Sequence, residues 1–158
     1  GPTLSAMSAF LLMQGVETLH LRMPRHCESA LAMTEHLASH PQVEWVTYPK
    51  LAGNRHRAMA ERYLPRGAGG ILTFGIKGGA GAGVRFIESV QFLSHLANIG
   101  DAKSLVIHPA STTHRQLSDD EQRAAGVTPE MIRLSIGLEA LDDILWDIDQ
   151  ALQNTISR

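Results

Sequence analysis

Arg133 is the residue of this sequence that is best suited to bind a ligand. It lies in the mainly apolar stretch Met131–Leu138, where it alternates with Ile132 and Leu134. If this stretch is a strand, the aliphatic side chains face a core and Arg133 points from the opposite face. Such an arginine is commonly a solvated or ion-paired surface residue. It can also clamp a carboxylate or a phosphate, because the planar guanidinium presents paired donors to those anions.

Other residues of chemical interest have simpler structural interpretations. His36 and His40 have the i,i+4 spacing of zinc ligands, but no third ligand stands nearby, so polar contacts at a helix end are preferred. His108 and His114 flank a Pro-Ala-Ser-Thr-Thr loop and could form a general-base pair, although hydrogen bonding within the loop is the simpler interpretation. The glycine-rich run 78–83 lacks the Gly-Lys-Ser/Thr ending of a phosphate-binding loop, which favours a flexible connector.

The elements that must position these residues follow from periodicity. Alternating or short apolar runs predict four strands, at Val43–Tyr48, Ile71–Ile76, Ser104–Ile107 and Met131–Ile136. Helices are predicted over residues 1–40 and at His56–Leu64, Val84–Leu96, Ser118–Gly126 and from Leu141 onward. This order predicts an α+β fold, in which a small mixed or antiparallel sheet has helices packed on one face.

Two of the predicted helices carry more specific expectations. The one at Val84–Leu96 follows a hinge-like glycine loop and would place Phe86, Val90, Leu93 and Ala97 on one face. The C-terminal helix has an aliphatic stripe that faces the core, and its four aspartates are expected on the remaining surface, at Asp142, Asp143, Asp147 and Asp149.

The N-terminal forty residues predict a long helix that is broken near Pro24. Between Ala6 and Met13 only Ser8 is polar, so this part of the helix is apolar nearly all round and must be covered on every side. A chain of 158 residues has little material with which to cover its own end. The pattern therefore predicts a larger neighbouring domain.

Composition excludes several classes of function. The net charge is -2 and the basic residues are scattered, which argues against a nucleic-acid partner. The longest apolar run, Ala9–Met13, is too short to cross a membrane. The lone Cys27 excludes an internal disulfide and is more typical of a small buried residue than of a nucleophile. With 44% hydrophobic residues, no initiator Met and no signal sequence, the chain is expected to be one globular domain of a cytoplasmic protein, cut from a longer polypeptide.

Two long segments resemble signatures of the Cys/Met-metabolism family of pyridoxal-phosphate (PLP) enzymes. The first is Asn98–His114, with the sequence N-I-G-D-A-K-S-L-V-I-H-P-A-S-T-T-H, and the second is Ile132–Glu139, with the sequence I-R-L-S-I-G-L-E. Further stretches fit the same family in order and spacing: Gly1-Pro2 with Ser5, Glu17–Met23 and Tyr63–Gly70. The resemblance covers essentially the whole chain.

The resemblance implies a place and a site for this chain. Residues 1–158 would be the single C-terminal domain of a fold type I PLP enzyme, with residues 1–40 as the helical connector to the upstream PLP-binding domain. Arg133 matches the family's strand arginine, which binds the α-carboxylate of an amino-acid substrate. Thr113 matches the threonine that braces this arginine, and Asn98 matches a residue that contacts the carboxylate or lies beside the cofactor.

The resemblance also implies what these residues lack. The family places its Schiff-base lysine in the preceding domain, and Lys50, Lys77 and Lys103 do not lie in the sequence setting of that lysine. We therefore expect PLP in the full-length enzyme, with no catalytic residue, cofactor-binding residue or metal site in this chain. The 158 residues alone are expected to be inactive.

Asn98-Ile99-Gly100-Asp101 resembles the O-acetylhomoserine sulfhydrylase branch of the family. This implies a γ-replacement with sulfide that gives L-homocysteine and acetate, in an enzyme that assembles as a homotetramer, like most of the family. Alternatives within the family are a cystathionine γ-synthase or γ-lyase and a methionine γ-lyase. An alternative of another class is a non-catalytic binding or assembly module that docks through its Arg133 face.

Overall fold

The computed structural model describes residues 3–156 as six helices and five strands. The helices are α1 (Ala6–Glu17), α2 (Leu19–Ser39), α3 (Arg57–Tyr63), α4 (Gly79–Ser89), α5 (Asp119–Ala124) and α6 (Leu141–Gln153). The strands are β1 (Val43–Thr47), β2 (Ile71–Ile76), β3 (Ser94–His95), β4 (Leu105–Ile107) and β5 (Met131–Ser135), and a short 3-10 turn covers Pro109–Ser111.

The five strands form one mixed sheet in the order β1-β2-β5-β4-β3. Every neighbouring pair is antiparallel except β3 and β4, which are parallel. The predicted α+β class and the mixed sheet are therefore confirmed. Strand β5, which carries Arg133, lies at the centre of the sheet, between β2 and β4.

One face of the sheet forms the hydrophobic core. Leu134 pairs with Leu72 of β2 and with Val106 of β4, and all three side chains are buried. Helices α2, α4 and α6 cover this face with buried residues that include Met33, Leu37, Phe86, Ile144 and Ile148. Burying such side chains contributes about 1.5–3 kcal/mol each, and this is the main force that holds helices and sheet together.

The alternation predicted for β5 is confirmed. Ile132 and Leu134 are buried in the core, whereas Arg133 is partly exposed on the opposite face. On that face Arg133 lies between Thr73 of β2 and Ile107 of β4.

The break in the N-terminal helix lies at Thr18, and its prediction at Pro24 was wrong. Thr18 has φ -103° and ψ 3°, and its carbonyl accepts the N–H groups of Leu21 and Arg22 at the start of α2. Pro24 is inside α2 on its exposed side. An interior proline removes one hydrogen bond of a helix, yet α2 continues past Pro24 to Ser39.

Helix α4 begins and ends earlier than predicted. It starts within the glycine run, at Gly79, so the prediction of a flexible connector over residues 78–83 was wrong. Gly83 permits close packing of this helix, since a Cβ there would lie 2.7 Å from His108 Nε2. It ends at Ser89, so the prediction that Val90, Leu93 and Ala97 extend the face of this helix was wrong.

Asp147 explains the early end of α4 and corrects a second prediction. The sequence pattern placed this aspartate on the surface of α6, but its side chain is fully buried. Its carboxylate accepts the backbone N–H groups of Gln91, Phe92 and Leu93 at 2.8–2.9 Å. These bonds hold the bend at residues 91–93 that leads into β3, and they compete with a continued helix.

The remaining helix predictions are confirmed. Helix α6 buries Ile144, Ile148 and Leu152, and α5 begins with the capping box of Ser118 and Glu121. Within residues 3–156, no helix combines the length and the apolar character that crossing a membrane requires.

Candidate functional site

The candidate site is centred on the guanidinium of Arg133. Its Nη2 donates a hydrogen bond to the backbone carbonyl oxygen of Asn98 at 2.9 Å. This contact joins the middle of β5 to residues 96–103, the segment between β3 and β4, which we call the Asn98 loop. The structure therefore brings together two of the three residues that the sequence predicted for the site.

Arg133 has no acidic partner in the part of the chain that the structure describes. The ion pairs among residues 3–156 join other groups, namely His36 and His40 with Asp149, Arg57 with Glu61, and Arg123 with Asp120. A partly exposed guanidinium that is bonded to one neutral carbonyl keeps most of its donors available. This arrangement suits the binding of a carboxylate or a phosphate.

The side chain of Asn98 is exposed beside this contact. Its Oδ1 accepts the backbone N–H of Ile99 at 2.9 Å, which leaves its Nδ2 without an acceptor among residues 3–156. The Asn98 side chain can thus donate to a ligand, while its backbone carbonyl holds Arg133.

Thr113 lies in residues 108–118, the segment between β4 and α5, which we call the Thr113 loop. Its Oγ1 shares a hydrogen bond with His114 Nδ1 at 2.9 Å, and the side chain is exposed. Residues 3–156 contain no hydrogen bond between Thr113 and Arg133. The bracing of Arg133 by this threonine therefore stays a prediction.

The other histidines have structural partners. His108 is buried, with Nδ1 bonded to Ser111 Oγ at 2.9 Å and Nε2 bonded to the Pro129 carbonyl at 2.7 Å. The bond to Ser111 lies within the loop, as the simpler interpretation predicted, whereas the bond to Pro129 reaches the segment before β5. The Nε2 of His36 is bonded to Asp149 Oδ1 at 2.6 Å, and burial lowers the pKa of the neighbouring His40. Within residues 3–156 no group of three or more His, Cys, Asp or Glu side chains could hold a metal ion.

Cys27 is partly exposed, which corrects its expected burial. Its Sγ accepts the backbone N–H of Gly69 at 3.3 Å, beside a cavity of about 540 Å³ between α1, α2 and residues 66–69. The apolar helix α1 borders the same cavity and buries none of its side chains. Its large residues are more than half exposed, as is shown by Met7 at 66%, Leu11 at 62% and Leu12 at 61%.

A sequence profile described as Cys/Met metabolism PLP-dependent enzyme matches residues 1–153, which is nearly the whole chain. The chain belongs to the Cys/Met metabolism family of PLP-dependent enzymes. The match includes both segments that carry the sequence resemblance, Asn98–His114 and Ile132–Glu139.

Curated members of the family are similar to the chain over almost all of its length. An O-acetyl-L-homoserine sulfhydrylase of Leptospira meyeri is 54% identical over 155 residues, which cover 98% of this chain and 35% of that protein. A homocysteine synthase of Schizosaccharomyces pombe is 47% identical over 153 residues, which cover 97% of this chain and 36% of that protein. The chain therefore spans a little over a third of the length of these relatives.

A solved structure of the family has the same fold. It is described as an O-acetylhomoserine (thiol)-lyase of Campylobacter jejuni and superimposes with a TM-score of 0.89 at 43% sequence identity. The match covers 97% of this chain and 36% of that one, which carries an N'-pyridoxyl-lysine-5'-monophosphate.

The residues described here do not form a PLP site of their own. The family's cofactor requires a Schiff-base lysine and a phosphate cradle. Lys50 and Lys77 donate to the backbone carbonyls of Pro65 and Pro41, and Lys103 is an exposed loop residue. The chain contains no other lysine.

Proposed function

We propose that this chain supplies the substrate-carboxylate side of the active site of an O-acetyl-L-homoserine sulfhydrylase. The full-length enzyme would convert O-acetyl-L-homoserine and sulfide into L-homocysteine and acetate. The observation that carries the proposal is the Arg133 guanidinium, which is partly exposed on the face of the sheet opposite the hydrophobic core and is bonded to one neutral carbonyl oxygen. The names of the similar relatives support the choice of reaction.

Each residue of the site has a distinct part in this proposal. Arg133 binds the α-carboxylate of the substrate with paired N–H donors and thereby orients the bonds at Cα. The Asn98 carbonyl fixes the guanidinium, and the free Nδ2 of Asn98 adds a neutral donor. Thr113 would turn its hydroxyl from His114 to Arg133 once the rest of the site is in place.

The proposal also assigns this chain a place within the full-length enzyme. Residues 1–158 form the C-terminal domain, and residues 1–40 connect it to an upstream domain that holds PLP. When bound, PLP acts as an electron sink for a carbanion at Cα of the amino acid. The exposed apolar residues of α1 would be covered by that domain or by another subunit of a homo-oligomer. We infer a cytoplasmic location from the single cysteine.

The test uses the purified, PLP-loaded full-length enzyme. Supplied with O-acetyl-L-homoserine, it should form homocysteine and acetate rapidly with sulfide, and cystathionine slowly or not at all with cysteine. Product analysis by mass spectrometry distinguishes the two. Preferred use of cysteine would instead favour a cystathionine γ-synthase, and rapid degradation of methionine without a second substrate would favour a methionine γ-lyase.

A further inference from the structure

We propose that Glu139 is a positioning residue, which holds the Asn98 loop against Arg133 so that the guanidinium is aimed at its ligand. The inference rests on the proposed function of Arg133 and assigns a further residue to the same site. Glu139 ends the segment Ile132–Glu139 and lies six positions after Arg133, yet its carboxylate does not pair with that arginine.

Both carboxylate oxygens of Glu139 accept hydrogen bonds from Ser104, the residue that follows the Asn98 loop. Its Oε1 accepts the Ser104 backbone N–H at 2.6 Å, and its Oε2 accepts the Ser104 hydroxyl at 2.9 Å. Ser104 is 1% exposed, and its Oγ also accepts the backbone N–H of Gly137 at 2.8 Å. Charge-assisted bonds to a buried residue are among the stronger polar contacts in proteins.

We call the hydrogen bonds between Glu139 and Ser104 the Glu139 clamp, and backbone contacts of the neighbouring residues strengthen it. The N–H of Leu138 donates to the carbonyl of Ala102 at 2.8 Å, inside the Asn98 loop. A Cβ on Gly137 would collide with the Ala102 carbonyl oxygen and the Lys103 carbonyl carbon. Residues 137–139 therefore lie directly against residues 102–104, with no room for a side chain between them.

Helix α2 fixes the segment that carries Glu139. The buried His26 is bonded through Nδ1 to the Ile136 carbonyl at 2.7 Å, and Arg25 Nη2 donates to the Glu139 carbonyl at 3.2 Å. The carboxylate of Glu139 thus projects from a backbone that is anchored on both sides. It can act as a fixed point for a loop that is otherwise exposed.

The Asn98 loop is held at its two ends and contacts Arg133 in the middle. Asp147 binds residues 91–93 before the loop, and Glu139 binds Ser104 after it. The Asn98 carbonyl lies between these anchors and accepts from Arg133. Releasing the Ser104 end would let the carbonyl move, and Arg133 would lose the contact that orients it.

The test compares Glu139→Ala, Glu139→Gln and wild type in the PLP-loaded full-length enzyme. We expect Glu139→Ala to raise KM for the amino-acid substrate by about ten-fold and to change kcat by less than about three-fold. Glu139→Gln keeps an acceptor for the Ser104 N–H and should raise KM by about two-fold to three-fold. KM for sulfide should not change in either variant, because sulfide has no α-carboxylate.

The matched control is Glu61→Gln, which removes an exposed carboxylate that pairs with Arg57 on α3. Its kinetic constants should equal those of wild type. A merely structural role of Glu139 would lower the fraction of folded enzyme and thus kcat, without raising KM for the amino acid. An unchanged KM in Glu139→Ala would overturn the proposal.

Two further measurements apply if Glu139→Ala does not fold or if the enzyme does not catalyse the proposed reaction. Ser104→Ala removes only the hydroxyl between Glu139 and Gly137 and should raise the same KM by about three-fold. Hydrogen exchange at residues 98–104 needs no substrate and should accelerate about ten-fold in Glu139→Gln, with no change in β1. If wild type does not use O-acetyl-L-homoserine, the proposed function fails. If hydrogen exchange at residues 98–104 is the same in Glu139→Gln and wild type, Glu139 does not hold the Asn98 loop and this inference fails.

Discussion

The two loops that flank β4 are held in place by different means. The Asn98 loop is anchored by two carboxylates, Asp147 and Glu139, which belong to α6 and to the segment after β5. The Thr113 loop is anchored by one neutral side chain, Gln122 of α5, whose Nε2 donates to three of its carbonyls. His108 at its start is also bonded through Nε2 to the Pro129 carbonyl at 2.7 Å. Its other side-chain bonds are local, such as that from the Thr112 hydroxyl to the His108 carbonyl at 2.8 Å.

This difference distinguishes the two sides of the proposed site, the Asn98 loop and the Thr113 loop. The Asn98 loop is fixed by charged groups distant in sequence, and it contacts Arg133. The Thr113 loop is held by neutral groups, and its exposed threonine is not hydrogen-bonded to Arg133 among residues 3–156. We infer that the Asn98 side is preformed in this domain, whereas the Thr113 side adjusts when the rest of the enzyme is present.

Asp147→Ala should have the largest effect, because it removes three charge-assisted hydrogen bonds at once. We expect the free energy of local opening at residues 91–93 to fall by about 4 kcal/mol, as measured by hydrogen exchange in the full-length enzyme. Asp143→Asn, an exposed change in the first turn of the same helix, is the control and should leave these amides unaffected. If residues 91–93 are as well protected from exchange in Asp147→Ala as in wild type, the carboxylate does not anchor this segment.

Gln122→Ala should loosen only the Thr113 loop. The side-chain amide is nearly buried and donates to carbonyls at 3.0–3.3 Å, so its loss should lower the free energy of opening there by about 1–2 kcal/mol. Hydrogen exchange should accelerate at residues 110–117 and remain unchanged at residues 98–104. Acceleration of both loops together would mean that they do not move independently.

Thr113→Val should raise KM for the amino-acid substrate by about three-fold, since it removes the hydroxyl proposed to brace Arg133. Thr113→Ser keeps the hydroxyl and should behave like wild type. Gln116→Ala, an exposed change in the same loop at a side chain without a hydrogen bond among residues 3–156, serves as the control. Equal KM values in Thr113→Val and wild type would exclude the bracing role.

Acid should weaken the helix that holds the Thr113 loop. Hydrogen bonds from the backbone N–H and the hydroxyl of Ser118 lower the pKa of Glu121 below its usual 4.5. A carboxyl with a lowered pKa stabilises the folded state above about pH 4.5, and this contribution is lost as the pH falls through the lowered value. Exchange at the start of α5 should therefore accelerate below pH 4.5, and less so in Ser118→Ala. The same acceleration in both proteins would contradict this effect.

Local patterns of the sequence were sufficient to predict the elements that carry Arg133. The alternation of Ile132, Leu134 and Ile136 predicted β5 and its two faces, because alternation is a property of the strand alone. The end of α4 could not be predicted in this way. It depends on Asp147, which binds residues 91–93, and these lie 54 to 56 positions before it in the chain. Helical periodicity alone does not predict that this aspartate is buried.

Strand alternation singled out Arg133, and the family resemblance gave it a role and added Asn98 and Thr113 to the site. The bond from Arg133 goes to the backbone of Asn98, however, and no side-chain pattern encodes that contact. Glu139 stood within the matched segment, yet its role required the geometry of Ser104 and Gly137.

The central claim is that Arg133 recognises the α-carboxylate of an amino acid. Its most direct test is the ratio of kcat/KM for O-acetyl-L-homoserine to that for its α-carboxamide, measured in wild type and in Arg133→Met. We predict that wild type prefers the carboxylate by about a hundred-fold, and that the preference falls to within about three-fold in the variant. A variant that keeps the hundred-fold preference would contradict the account.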